Sequence, residues 1–313
     1  MLVGPPGSGK SHIANEYSDH IILSRDQVGS DLKHLANRLD VLLEKNQNTK
    51  IVLDNLHSTS ESRKIFIDVA QKYSVPVTCV LVNLSIEDAQ INVLRRQYAK
   101  YKQIFYTATD IKESGIHDPI LFPIAVLFKF RKEFQKPILS EGFSEIQNRK
   151  GYKSTFDPKI YKNKALFLDY DGTLRTSKNG MYPKQVEDII VDHDVEKAIT
   201  HLFPKGEYLY LGVSNQSPIA KKEFTTAEAD SMFKETNRLL FGDPNYIEFV
   251  YCKHSVPPSC YCRKPQSGMA VYFIEKYKLD PTKCTMIGDM TTDHTFAKKL
   301  EIQFIHINDL KKM

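Results

Sequence analysis

The sequence predicts two α/β domains in tandem, each a doubly wound parallel sheet flanked by helices. Three observations predict this. Short apolar runs of strand length alternate with longer segments of mixed polarity, the pattern that winds a parallel sheet. A glycine-rich loop follows the first apolar run. A second series of apolar runs begins near residue 164, and its first member ends in two aspartates. The 313 residues suffice for two cores. The expected boundaries are 1–147 for the first domain, 148–163 for a basic linker and 164–313 for the second.

In chain order, MLV (1–3), DHIILS (19–24), KIVLDN (50–55) and VTCVLVN (77–83) read as strands, and ESRKIFIDVAQKY (61–73) as one of the helices between them. MLV is short, because a central strand usually runs about five or six residues. The stretch NRKGYKSTFDPKIYKNK (148–164) holds six basic residues and one acidic, with Gly151 and Pro158, and reads as the linker. A second basic, aromatic run, RRQYAKYKQIFY, covers 95–106. Either run is a solvated face or a track for a phosphate backbone. The second series is KALFLDYD, EYLYLGVS, IEFVYC, TMIGD and IQFIHI, another α/β sheet.

Composition is that of a globular chain, with 41% hydrophobic and 26% charged residues and a net charge of +5. No apolar run approaches the ~20 residues that span a bilayer, so no membrane partner is expected. Polar and charged residues in GSGKSHIANE interrupt any signal peptide, which points to an intracellular protein, cytoplasmic or nuclear. Of the five cysteines, Cys79 and Cys284 read as small core residues, and no disulfide framework is expected.

Gly4-Pro-Pro-Gly7-Ser8-Gly9-Lys10-Ser11 fits G-x-x-x-x-G-K-[ST]. In that pattern the glycines turn backbone N–H groups toward phosphate oxygens. Lys10 reaches the β and γ phosphates, and Ser11 holds Mg²⁺. ATP is the expected cofactor. Asp26 and Asp54 fall at the carboxyl ends of expected strands, the edge where open α/β sheets bind ligands. A carboxylate there can take the proton of an attacking hydroxyl, or it can cap a helix. Asp26, beside Arg25, is read as catalytic. Arg25 is expected to contact the substrate, and for Asp54 the capping reading competes with the catalytic one.

SRDQVGS, LDNLHSTSESRK and FRKEFQKPILSEGFSEI resemble the kinase domain of polynucleotide 5′-kinase/3′-phosphatases over most of residues 1–147. The resemblance implies that Asp26 activates a 5′-hydroxyl and that Asp54 helps to hold the acceptor end. It also implies lid arginines that clamp the donor phosphates, for which Arg95 and Arg96 are the nearest candidates. Where that family has D-N-T-N, this chain has Asp54-Asn55-Leu56-His57.

Asp169-Tyr-Asp171-Gly-Thr-Leu places two carboxylates on one side of a strand end. One can attack phosphorus while the other protonates the leaving oxygen. Ser214 and Asn215 follow another strand and can contact the phosphoryl group. Lys264, after Arg263, brings positive charge, and Asp289 and Asp293 can hold Mg²⁺ near the nucleophile. In this order the pieces resemble the haloacid dehalogenase-like phosphohydrolases over 164–313. The resemblance implies Asp169 as nucleophile, Asp171 as general acid/base, Ser214 and Lys264 as phosphate ligands, Asp289 binding Mg²⁺ with Asp169, and Asp293 supporting the metal or the lysine; Asp171 is also expected among the Mg²⁺ ligands.

Cys252, His254, Cys260 and Cys262 lie within eleven residues and suit tetrahedral Zn²⁺ with no open position, hence a structural site. The knot would pin the loop that delivers Arg263 and Lys264. Together with DYDGTL and GVSNQS it resembles the zinc-bearing histidinol-phosphate and heptose-bisphosphate phosphatases. The leading expectation is a nucleic-acid end-healing enzyme, using ATP, Mg²⁺ and Zn²⁺, that phosphorylates 5′-hydroxyl ends and removes 3′-phosphates from DNA or RNA. The alternative is a metabolite kinase fused to a small-molecule phosphatase.

Overall fold

A computed structural model of the chain describes residues 1–25, 31–178, 180, 182–257 and 260–313. The chain divides into two units, Met1–Val93 with His117–Ser154, and Leu94–Ile116 with Thr155–Met313.

The first unit is built on five strands, β1 (Leu2–Val3), β2 (Ile21–Ser24), β3 (Ile51–Asp54), β4 (Thr78–Asn83) and β5 (Glu145–Lys150). Their order is β2-β3-β1-β4-β5 and every pairing is parallel. Alternation along the strands buries both faces, as a parallel sheet requires. Val3, Leu23, Leu53 and Leu81 pack with Leu35, Leu39, Phe66 and Ile67 of the helices Leu32–Lys45 and Ser60–Lys72. Leu2, Val52, Val80 and Val82 pack with Ile13 and Ala14 on the other face. β1 has two residues, yet it is the central strand, paired with both β3 and β4. The helix Ser60–Lys72 starts where Thr59 and Ser62 cap each other reciprocally.

Two expected boundaries shift. Asn148, Arg149 and Lys150, assigned to the linker, continue β5 and pair with Leu81, Val82 and Asn83. An edge strand needs only its backbone ladder, and charged side chains are normal there, so the polarity that suggested a linker suits a strand equally well. The helix Ile86–Tyr101 crosses the division between Val93 and Leu94, so RRQYAKYK belongs to the second unit rather than to 1–147.

The second unit holds β6 (Lys164–Leu168), a hairpin of β7 (Arg175–Ser177) and β8 (Ile189–Val191), then β9 (Tyr208–Asn215), β10 (Glu248–Cys252), β11 (Thr285–Gly288) and β12 (Gln303–His306). The five-stranded sheet runs β10-β9-β6-β11-β12, all parallel. Leu166, Leu168 and Tyr170 join Val195, Ile199 and Phe233 in one core. Phe233 lies between the Tyr170 ring, edge-on at 4.4 Å, and those of Phe249 and Tyr251, stacked at 4.8 and 5.1 Å. Each such side chain contributes about 1.5–3 kcal/mol when fully buried. Cys79 and Cys284 are buried core residues. Among the described residues no helix is long and apolar enough to cross a membrane.

Candidate active sites

In the first unit, β1 leads into the loop Gly4–Gly9, and a helix begins at Lys10. Gly9 has φ +90, and a Cβ there would lie 2.9 Å from the Tyr152 Cβ, so only glycine suits the position. The buried Lys10 ammonium donates to the carbonyls of Gly4 and Pro5 at 2.9 and 2.8 Å. The loop is braced from outside: Asn92 Nδ2 donates to the Gly7 carbonyl at 2.7 Å, and the Tyr152 N–H donates to that of Ser8 at 2.9 Å. Ser8 Oγ is buried without a hydrogen-bond partner among the described residues.

Because β3 lies beside β1, Asp54 reaches the loop, and Ser11 Oγ donates to Asp54 Oδ2 at 2.7 Å. Expected as an acceptor contact, Asp54 is therefore placed with the residue expected to hold Mg²⁺. In phosphate-binding loops a serine or threonine and a strand-end aspartate share that task. Arg25 is exposed, and its N–H donates to Asn55 Oδ1 at 3.1 Å. Asp26 lies outside the described residues.

Behind Asp54 the chain is held by Arg63, which is fully buried. Its guanidinium binds Glu141 at 2.7 Å through Nε and again through Nη2, and Nη1 donates to the carbonyls of His57 and Gln135. His57 is buried with φ +46, and neither ring nitrogen has a partner among the described residues. Burial, with the N-terminal, Lys10 and Arg63 charges, pushes its pKa down to about 3.

Arg95 is committed within the second unit. Nε donates to Glu275 at 2.6 Å, Nη2 to the Tyr161 hydroxyl and Nη1 to the Thr155 carbonyl, and the guanidinium lies over the Phe156 ring. Arg95, expected to clamp donor phosphates, is thus paired with Glu275 in this structure. Arg96 is exposed.

The second unit gathers its expected residues closely. Asp169 at the end of β6, Asp289 after β11 and Asp293 bring one carboxylate oxygen each within 4.8 Å of one another. Lys264 Nζ lies 2.7 Å from both Asp169 and Asp293 and donates to the Val213 carbonyl at 2.8 Å. Burial pushes the Asp169 carboxyl up to about 7 against the pull of Lys264, with Asp293 and Asp171 adding to the rise. For Lys264 burial works against the charge, but Asp169 and Asp293 outweigh it and hold the ammonium above its usual range. Three carboxylates facing one ammonium leave a net charge that a divalent cation would neutralise. Asp289 Oδ1, buried without a hydrogen-bond partner among the described residues, fits such an ion. Gly172, at φ +88, lets Asp289 approach: a Cβ there would lie 2.3 Å from its Oδ2.

Asp171, expected among the cation ligands, is not in this carboxylate cluster. Its oxygens are taken by protein donors, Arg175 Nε on Oδ1 at 2.8 Å and Gln216 Nε2 on Oδ2 at 2.6 Å. Ser214 is buried, and its Oγ accepts from Gln216 Nε2 at 3.0 Å. Asn215, expected to contact substrate, is used on the protein: Nδ2 donates to the Lys264 carbonyl at 3.1 Å and Oδ1 accepts the Lys264 N–H at 2.9 Å. Arg263 Nη1 is buried and without a hydrogen-bond partner among the described residues, as suits a contact with an anionic substrate.

Cys252, His254, Cys260 and Cys262 converge. Cys252 Sγ lies 3.6 Å from Cys260 Sγ and 3.4 Å from His254 Nδ1, which lies 3.1 Å from Cys262 Sγ. All four donor atoms fall within 4.8 Å of one another, room for one ion among them. Cys262 and Lys264 are two residues apart, so the knot and the site lysine share one loop. Sequence reasoning missed Asn92, Arg175 and Gln216. A glutamine beside the Ser214-Asn215 pair and an arginine directly after DYDGTL were the available signals.

The class defined by these folds and sites is a phosphoryl-transfer enzyme with a phosphate-binding loop in one unit and a nucleophilic-aspartate cluster in the other. A family model described as an AAA domain matches residues 1–114, and one described as HAD-hydrolase-like matches 261–309. The chain is 33% identical over 138 residues to the D-glycero-beta-D-manno-heptose-1,7-bisphosphate 7-phosphatase of Haemophilus influenzae, which covers 42% of this chain and 73% of that protein. It is 31% identical over 150 residues to the bifunctional polynucleotide phosphatase/kinase of Schizosaccharomyces pombe, covering 47% of this chain and 32% of that protein. It is 31% identical over 152 residues to the histidine biosynthesis bifunctional protein HisB of Actinobacillus pleuropneumoniae, covering 47% and 41%. The chain thus spans well under half the length of the last two relatives. It belongs to the HAD-like phosphatases and carries a P-loop kinase-type domain ahead of that part.

Proposed function

We propose that the chain heals broken nucleic-acid ends, phosphorylating 5′-hydroxyls with ATP and removing 3′-phosphates. One observation carries this reading: a single chain joins the Lys10–Ser11–Asp54 loop to the Asp169–Lys264–Asp293 cluster, and the fission-yeast relative's name likewise joins a kinase to a phosphatase. Nuclease cleavage can leave a 5′-hydroxyl and a 3′-phosphate, whereas sealing needs the reverse, so the two activities serve one substrate.

In the phosphatase unit an Asp169 oxygen bonds to phosphorus as the bond to the leaving oxygen breaks, and Asp171 gives that oxygen a proton. Water then displaces the aspartyl-phosphate, returning a proton to Asp171 and releasing orthophosphate. Lys264 offsets charge on the phosphoryl group, and Ser214 hydrogen-bonds it. Asp169, Asp289 and Asp293 are the residues that would hold Mg²⁺, which supplies positive charge opposite the developing negative charge. In the kinase unit Lys10 and the loop amides hold the ATP phosphates, Ser11 and Asp54 would hold their Mg²⁺, and Asp26 takes the acceptor proton. The four donors of the knot are assigned to Zn²⁺, in a structural role.

The test is incubation with labelled ATP and an oligonucleotide bearing 5′-hydroxyl and 3′-phosphate ends, with both termini read. Asp26→Ala should abolish labelling and spare dephosphorylation, and Asp169→Asn should do the reverse. Loss of both activities from either change in a folded protein would falsify the two-site reading. A second reading, a metabolite kinase joined to a small-molecule phosphatase, is favoured by the knot and by the heptose-bisphosphate relative. Faster turnover of histidinol phosphate or a heptose bisphosphate than of the oligonucleotide would select it.

A further inference from the structure

Arg175 is an arginine in a place that packing alone would give to an apolar side chain. It is 1% exposed, and its guanidinium lies 4.6 Å from the Phe233 ring centroid and 5.4 Å from that of Tyr170. Nη1 donates to Thr236 Oγ1 at 3.0 Å, and Nε meets Asp171 Oδ1 at 2.8 Å. A buried guanidinium costs several kcal/mol unless it is paired, so its position is tied to that carboxylate. The other oxygen, Oδ2, has a different partner: the neutral amide of Gln216, which also reaches Ser214 Oγ. One oxygen of Asp171 is thus pinned by a caged cation. The other is held by a side chain that also contacts a residue assigned to the phosphoryl group.

We propose that Arg175 is a positioning residue for phosphoryl transfer. It locks Asp171 Oδ1, so that Oδ2 is the oxygen that gives a proton to the leaving group and later takes one from water. In the first step the Asp169–phosphorus bond forms, the phosphorus–leaving-oxygen bond breaks, and the Oδ2 proton moves to that oxygen. In the second, water oxygen bonds to phosphorus, the Asp169 bond breaks, and the proton returns to Oδ2. This rests on the phosphatase reading above and holds for whichever phosphomonoester the unit takes.

Leaving-group dependence separates this role from a structural one. An alkyl alkoxide needs the proton, whereas p-nitrophenolate leaves without it. The assay compares p-nitrophenyl phosphate with whichever of a 3′-phosphorylated oligonucleotide, histidinol phosphate and a heptose bisphosphate the wild type hydrolyses fastest. Arg175→Met should lower kcat/KM, which reports the step that expels the leaving group, about 10–100-fold on the alkyl phosphate, reaching only the low end of general-acid contributions, and less than about 3-fold on the aryl phosphate. Arg175→Lys should recover part of the alkyl rate. Equal losses on the two substrates, or no loss on either, overturn the proposal. If Arg175→Met does not fold, Thr236→Val, which removes only the second anchor of the guanidinium, is judged by the same difference between substrates. A wild type inactive on every substrate overturns the phosphatase reading itself. An active wild type whose variants lose both rates equally overturns only the role of Arg175.

Discussion

Replacing Lys264 by methionine should unbalance the phosphatase cluster in a way that depends on pH. The ammonium lies 2.7 Å from both Asp169 and Asp293 and is almost wholly buried. Without it, carboxylates whose oxygens lie within 4.8 Å of each other lose their shared counterion. Two unit charges at that separation repel by about 3.5 kcal/mol at an effective dielectric of about 20. That agrees with the loss of about 3–5 kcal/mol when one partner of a buried pair is removed. The sign with pH follows from linkage. Asp169 already sits above its ordinary range, and deleting the cation raises it further. A carboxyl with a raised pKa binds more protons folded than unfolded, so its share of stability falls as pH rises. Urea denaturation in buffer without added divalent cation should therefore give Lys264→Met a deficit of about 3–4 kcal/mol at pH 8 and a clearly smaller one at pH 5.5, where one carboxyl is protonated. The double variant Lys264→Met with Asp293→Asn should regain at least about half of the pH 8 loss. Equal deficits at the two pH values, or a deficit below about 1 kcal/mol at pH 8, would refute the charge balance described for the site.

Three other outcomes follow from the geometry. His57, with its pKa pushed down to about 3, stays neutral when folded but takes a proton near 6.5 when unfolded. Stability of the first unit should therefore fall by about 2 kcal/mol between pH 7 and pH 5, and His57→Asn should flatten that slope in denaturation curves. Arg63→Met, which strands Glu141 and two carbonyls, should cost the first unit about 3–5 kcal/mol by the same measurement. Cys262→Ser should lower the metal content of purified protein and cut phosphatase turnover about 10–100-fold through the loop bearing Lys264, while ATP-dependent labelling stays within about 2-fold of wild type.

The phosphate loop, the DYDGTL strand end and the Cys/His knot were legible in sequence because each is a local device. A glycine at a positive φ, a carboxylate at a strand end and four soft ligands at short spacing are required by chemistry that a few neighbouring residues carry out together. What stayed hidden depends on partners far along the chain. Arg95 looks like a free basic residue until Glu275, 180 positions away, meets it. Residues 148–150 look like a linker until β4 offers them a ladder. Asp54 reads equally as a cap or an acceptor contact until the pairing of β1 with β3 sets it against Ser11. Arg175 gave no periodicity signal, because its place follows from Phe233 and Thr236 on a helix more than fifty residues later.

The Asn215 side chain both gives a hydrogen bond to the backbone of Lys264 and receives one from it, much as one base reads another. A carboxylate in its place could accept but not donate. Slow hydrolysis of that amide to an acid, the common chemical ageing of asparagine, would turn the giving half of the clasp into a repulsion. Asn215→Asp should therefore loosen the hold on the segment bearing Lys264 while leaving the rest of the second unit folded.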